Sequence, residues 1–387
     1  MSSEPFVAAI DPARSAATLP ESMRVARMHE VGGPLMIERV PVPTPGDRDV
    51  LVRVRSCGIV PNLGNILSNW TTWFPDLPLP PFPAVFGLDP AGEVVATGKN
   101  VCDVKPGDRV YVNPGRSCGT CRHCSGGDPV ACEYYAFNGY FGFSRKALRM
   151  YAEYPYGGMS EYMTAPATAL VPLPESVTFD QAARLGYIGT AYSALKKANV
   201  GPGSVILIQG ASGTLGLGGV IGALALGARR ILGTGRDRAL LAKVKALAPD
   251  RIETFSIEDG SVAEWAKVLT GGEGVDASID CLGPGARHET FLEGVYSLRR
   301  GGALVNVGAT AGNVPLDVHY MMDRNMRLIG SLWFTTQEGL EMAALAESGI
   351  LDLSIFEHNA HPLEQVNEAI SGIAARNGGF SNYVIHP

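Results

Sequence analysis

Two groups of residues in this 387-residue chain combine residue type and spacing in a way that could do chemistry. The first is VILIQGASGTLG, residues 205–216, where a short apolar run leads directly into Gly210, Gly213 and Gly216. Glycines at that spacing let the chain turn tightly, and a helix starting there aims its N-terminal amides at a pyrophosphate. Gly210, Ser212, Gly213, Thr214, Leu215 and Gly216 are therefore expected to hold a nicotinamide dinucleotide; a turn serving only close helix packing is the alternative. After the next apolar run, RILGTGRDR puts Gly235 where a NAD site usually carries a carboxylate for the ribose, with Arg236 and Arg238 following. Two guanidiniums favour a 2′-phosphate, hence NADP(H) over NAD(H), against the plainer reading of a solvated helix start.

The second group is Cys118, Cys121, Cys124 and Cys132, spaced C-x2-C-x2-C-x7-C within NPGRSCGTCRHCSGGDPVAC. Four thiolates can close a tetrahedron around zinc and leave no position for water or substrate, so one structural zinc per chain is expected. Four reduced thiols without metal are the bland alternative, and a zinc ribbon on nucleic acid is disfavoured by the acidic charge. Cys57, Cys102 and Cys281 are scattered and read as buried small side chains.

The elements that must position these groups follow from composition and rhythm. A hydrophobic content of 46% suits a soluble globular chain of about two domains. The net charge of -6 and the lack of a basic stretch exclude nucleic acid and anionic membrane as main partners. The start lacks a secretory pattern and no run of eighteen apolar residues occurs, so a cytoplasmic protein acting on small molecules is expected. Residues 1–22 read as a mobile arm. From 23 to 174, short apolar alternations broken by Pro and Gly predict β structure, with the cysteine lobe at 113–133. From 175 to 334 the rhythm is strand, helix, strand, ending in RLIGSLWF, which predicts a parallel doubly wound sheet and an α/β fold. Residues 335–387, with a helix near 362–375 and a strand at YVIHP, are expected to return to the first domain.

Taken in order, PTPGDRDVLVRVRSCGI, GLDPAGEVVATGKNVCDVKPGDRV, the cysteine lobe and GASGTLG resemble the medium-chain dehydrogenase/reductase family, the zinc alcohol dehydrogenases in particular, over about residues 24–387. The resemblance implies a chaperonin-10-like (GroES-like) β domain, a Rossmann domain, a cleft between them, an NAD(P)-dependent oxidoreductase activity, and a homodimer or homotetramer. It assigns Thr190 to the nicotinamide side, Cys281 to Gly283 and Val307 to Ala309 to backbone contacts with the cofactor, and Ser331 to the edge of the last strand. The basic residue that the family often carries before its final strand is missing from GFSNYVIHP, which offers Ser381 and Asn382.

The resemblance breaks at the family's catalytic zinc. Val60, Leu88 and Gly186 stand where its Cys, His and third ligand belong, and Asp89 alone keeps a ligating side chain. One carboxylate cannot hold zinc, so hydride transfer is expected without a Lewis acid, to an apolar or aromatic carbonyl compound and preferably a conjugated one. Tyr187 could protonate the product or be a core aromatic. Asn62 could donate through its amide or cap the next helix, and Asp89 could act as an acid through a raised pKa. The aromatic stretch NWTTWFPDLPLPPFPAVF, residues 69–86, could wall the substrate or serve packing. Two other readings remain: an alcohol dehydrogenase whose zinc is recruited by Asp89 and Cys57, and a dinucleotide-binding protein without catalysis.

Overall fold

The computed structural model describes residues 19–387. Most of the expected N-terminal arm lies outside the described residues, and its last residue, Ser22, already begins a strand.

β1 (Ser22–Met28) pairs antiparallel on one side with β2 (Met36–Pro41) and on the other with a short β4 (Ala84–Val85). The main sheet of this half contains β3 (Asp49–Gly58), β5 (Asp89–Thr97), β6 (Arg109–Val112), β9 (Tyr162–Pro166) and β10 (Leu170–Pro172). It is antiparallel and runs in the order β10-β6-β5-β3, with β9 also on β3. Period-two apolar residues such as Val50, Val52 and Val54 are all buried, against Val94, Val110 and Met163. A two-stranded pair, β7 (Gly115–Arg116) and β8 (Ala136–Phe137), brackets the cysteine lobe.

The second sheet is fully parallel: β11 (Val205–Gln209), β12 (Arg230–Gly235), β13 (Ile252–Ser256), β14 (Val275–Asp280), β15 (Leu298–Asn306) and β16 (Arg327–Gly330), in the order β13-β12-β11-β14-β15-β16. The α/β Rossmann expectation is borne out, with β13 as a strand the sequence reading did not single out. The last strand stops at Gly330, so SLWF leaves the sheet, and Trp333 packs its ring 4.5 Å from that of Phe137 on β8. Cys102 is exposed and Cys281 half-buried, which corrects their reading as buried residues; Cys57 is buried.

β17 (Glu357–Pro362) and β18 (Ser381–His386) then join the first sheet, β18 pairing with β3 at Gly58 and Cys57. The chain thus returns across the crevice, and Arg184, fully buried at the start of the helix Leu185–Lys197, donates to the carbonyls of Gly379 and Ser381 at 2.7 and 3.1 Å. A chain ending at Phe380 should lose the strand that covers β3 and one of the Arg184 acceptors. It is expected to unfold at clearly lower temperature and to aggregate through the opened edge, read by melting and size-exclusion chromatography.

Candidate active site

At the end of β11, Gly210 takes a φ of +74°, and Gly213 precedes the helix Thr214–Ala225. A Cβ at Gly216 would lie 2.1 Å from the Gly210 carbonyl, so only glycine allows the helix to start this close to the strand. The Thr214 hydroxyl, just inside that helix, is buried without a partner, an orphan that a bound phosphate oxygen would satisfy. These features fit a dinucleotide pyrophosphate. Gly235, at the end of β12, leaves the space beside the Ser212 hydroxyl clear, where a Cβ would come within 3.0 Å. Arg238 is spent on a bidentate pair with Asp259 at 2.6 Å, whereas Arg236 pairs with no carboxylate among the described residues. The two arginines are therefore not equivalent.

The carboxyl ends of β14 and β15 close the other side. The Cys281 amide donates to the Gln209 carbonyl at 3.2 Å and the Val307 amide to that of Asp280 at 3.3 Å. Ser331 accepts from Lys197 Nζ at 3.0 Å through its hydroxyl. Thr190 spends its hydroxyl on the Gly186 carbonyl one turn back, at 2.7 Å. Missed at the sequence level is the approach of the C-terminal return, where the Gly379 amide donates to the Ser212 carbonyl at 2.8 Å. Nothing local in that segment signals a contact with residue 212.

The cysteine lobe behaves as expected. The sulfurs of Cys118, Cys121, Cys124 and Cys132 all lie within 4.8 Å of one another, with 3.6 Å separating Cys121 from Cys124 and Cys118 from Cys132. Bonds of about 2.3 Å to a tetrahedral zinc place sulfurs about 3.8 Å apart, so the set fits the ion. The Thr120 backbone holds the Cys118 thiol down at about 6, in the range where it is a thiolate. Among the described residues no other group of three or more possible ligands converges.

The positions of the family's catalytic ligands are filled differently. Val60 and Leu88 are buried in the core. Asp89, 2% exposed, packs its carboxyl group directly on the α-carbon of Gly186, where a Cβ would stand 1.9 Å from Oδ1. Its Oδ1 accepts from the Tyr111 hydroxyl at 2.8 Å, and burial raises its pKa to about 7 against the opposing pull of Tyr111 and the nearby Arg184. Cys57 directs its sulfur at Gly158, with burial pushing its thiol up, and joins no ligand cluster among the described residues. The donor set here does not fit a metal ion.

Around Asp89 the polar groups are few. Tyr187 is half-buried and its hydroxyl bonds no group among the described residues, so the reading of a core aromatic satisfied by backbone does not hold. Burial and Asp89 push its pKa up to about 12. Asn62 sits at the N-cap position of the helix Leu63–Trp73 without capping it; its Oδ1 accepts instead from Asn65 at 3.0 Å. The aromatic stretch divides. Trp70 and Phe86 are buried, Trp70 stacking on Phe141 at 3.9 Å, while Trp73, Phe74 and Phe82 stay exposed. Tyr140, unremarked in the sequence, is buried in the same region.

A parallel sheet with a glycine turn at its crevice, a β domain closing over it and a four-cysteine lobe define an NAD(P)-dependent dehydrogenase. Residues 46–175 match the alcohol dehydrogenase GroES-like domain and residues 214–348 match the zinc-binding dehydrogenase domain. The chain is 30% identical to sorbitol dehydrogenase of Bacillus subtilis, over 91% of this chain and 94% of that one. It is 31% identical to an alcohol dehydrogenase of Moraxella sp., over 89% and 94%. A thermostable alcohol dehydrogenase from Pyrobaculum aerophilum superposes with a TM-score of 0.76 at 25% identity, covering 95% of this chain and all of the other. The chain belongs to the medium-chain dehydrogenase/reductase family, on its zinc-type alcohol dehydrogenase side. No helix among the described residues is long and apolar enough to cross a membrane.

The raised pKa of Asp89 makes a stability prediction. Its folded value, about 7, lies above the 3.8 of an unperturbed aspartate, so the folded state favours the proton. The stability this contributes is complete below pH 4 and is lost as pH rises through 7. Asp89→Asn keeps an acceptor for Tyr111 and removes the charge, so its advantage over the parent should grow between pH 5 and pH 8, on the order of a few kcal/mol. Thermal melts at the two values check it, and a shrinking advantage would mean that Asp89 is ionised in the fold.

Proposed function

We propose that this enzyme is an NADP(H)-dependent reductase of apolar or aromatic carbonyl compounds, conjugated ones above all, that works without a catalytic zinc. The observation that carries this reading is Asp89 seated on Gly186, which occupies the place of a metal with a carboxyl group and admits no third ligand. Bound at the Gly210–Gly216 turn, the nicotinamide would supply the hydride. Gly213, Thr214 and Leu215 would hold its pyrophosphate, with Ser212 and Arg236 at the adenosine ribose and Thr190, Val307 and Ser331 around the nicotinamide end. Arg236, lacking a carboxylate partner, is the side chain best placed to take a 2′-phosphate. Tyr187 serves as proton donor; Asp89 holds a proton beside it, and Asn62 is a further amide donor at the cleft. The exposed Trp73, Phe74 and Phe82 suit an apolar substrate. A homodimer or homotetramer is supported by the open edge of β16, where Leu328 is exposed near Val318 and Met322. The names of the relatives favour a second reading, in which the same site oxidises alcohols.

Metal analysis tests the central claim. Purified protein should carry one zinc per chain and turn over NADPH with an aryl enone; two zincs, with activity lost on removal of the second, would overturn it. Arg236→Ala should weaken NADPH binding about tenfold, the equivalent of one modest charge-assisted contact, and leave NADH binding unchanged. Equal weakening of both cofactors would remove Arg236 from the 2′-phosphate site.

A further inference from the structure

Tyr140 lies in the segment following the cysteine lobe, and backbone contacts fix where its side chain stands. The Gly87 amide donates to the Gly139 carbonyl at 3.0 Å, and a Cβ on Gly139 would come within 2.7 Å of the Gly87 carbonyl. Tyr140 is therefore held next to Leu88 and Asp89. On the opposite side, Gly186 touches the Asp89 carboxyl group, which places Tyr187 beside the same side chain. Two tyrosines thus flank Asp89, one from each half of the molecule.

Neither hydroxyl bonds any group among the described residues, and neither oxygen is closed off from space as that of Tyr151 is, although the Tyr140 side chain as a whole is buried. Tyr111, by contrast, has spent its hydroxyl on Asp89, and the Tyr151 hydroxyl is enclosed by protein and out of a ligand's reach. Two accessible phenols near one carboxyl group, neither committed to the protein, are available to a ligand. Burial holds both phenols protonated, with Asp89 adding to the effect, so both are donors over the whole physiological range.

We propose that Tyr140 and Tyr187 together form a two-phenol hydrogen-bond pair that holds the carbonyl oxygen of the substrate, in the role a catalytic zinc plays elsewhere in the family. This rests on the zinc-free reading given above. As the hydride's electron pair reaches the carbon skeleton, the π pair moves onto the carbonyl oxygen, where both O–H groups stabilise the charge. The Tyr187 proton then passes to the product, and the tyrosinate takes one from water. The class of substrate follows, since two donors on one oxygen suit an aldehyde, ketone or enone.

The test uses 4-(dimethylamino)cinnamaldehyde, whose visible absorption moves to longer wavelength when its carbonyl oxygen is hydrogen-bonded or bound to a cation. In the full-length protein with NADP+ present, the probe should show a red shift that Tyr140→Phe and Tyr187→Phe each reduce and the double variant abolishes. NADPH binding, followed by nucleotide fluorescence, should stay intact and report a folded protein. With an enone, Tyr140→Phe should lower kcat about a hundredfold, in line with loss of one such donor, with KM changed little. A red shift that survives in one-zinc protein and does not respond to Tyr140→Phe overturns the pair and leaves the zinc-free reading standing. A red shift that disappears when a second zinc is chelated, with both tyrosines intact, overturns that reading itself.

Discussion

The carboxyl group of Asp89, pressed on the α-carbon of Gly186 and reached by the Tyr111 hydroxyl, constrains the rest of the site. A charge taken out of water is costly, and this one has a single hydrogen bond and the pull of the Arg184 guanidinium to compensate it. The group therefore keeps its proton up to about neutrality, and its neighbours must accept a neutral acid there. Any side chain at 186 would expel it. Around it stand one hydroxyl already committed, that of Tyr111, and the phenols of Tyr140 and Tyr187, groups whose chemistry is donation of hydrogen bonds.

That cluster depends on two halves of the molecule being held in register. Arg184 does part of this. Buried at the start of its helix, it ties the carbonyls of Gly379 and Ser381 while its charge faces Asp89, and the same Gly379 contacts the cofactor turn through Ser212. An aromatic series does another part. Trp70 stacks on Phe141, Phe141 meets Phe137 edge-on at 5.5 Å, and Phe137 contacts Trp333, whose indole N–H donates to Asn113 at 3.0 Å. Such contacts stabilise by area and by ring geometry together. The exposed Phe74 is the outer end of this series, its ring 4.6 Å from that of Trp70.

The cofactor turn and the cysteine lobe were readable because their information is local: glycine spacing after an apolar run, and thiols within a fifteen-residue stretch. The residues at the family's catalytic-ligand positions, Val60, Leu88 and Gly186, were readable by position against a family pattern. The distant groups gathered near them were not. Tyr140 reaches Asp89 through the pairing of Gly139 with Gly87, more than fifty residues away in the chain. Arg184 finds its acceptors about two hundred residues on. Contacts of that kind have no signature in spacing or periodicity, since they are set by which loops the sheets bring together. Even Arg236 and Arg238, two residues apart in the motif, differ because Asp259 stands opposite one of them.

The cysteine lobe and the surroundings of Asp89 are built differently, which bears on the proposal that only the first holds a metal. The four thiols of the lobe come from one continuous segment, and the strands β7 and β8 at its ends pair with each other, so its folding requires little from the rest of the molecule. Loss of that ion would leave a glycine-rich loop with no core of its own, and metal binding there is inseparable from folding. The other site draws on a strand end, a loop and a helix start from both halves, and its elements are already held by β3, β5 and the helix Leu185–Lys197. Removing the ion from such a place costs the fold little once apolar side chains and a neutral acid fill the space. The structural demand for zinc thus persists in the lobe, while the chemical demand at the crevice is open to replacement by hydrogen-bond donors that the same elements can carry.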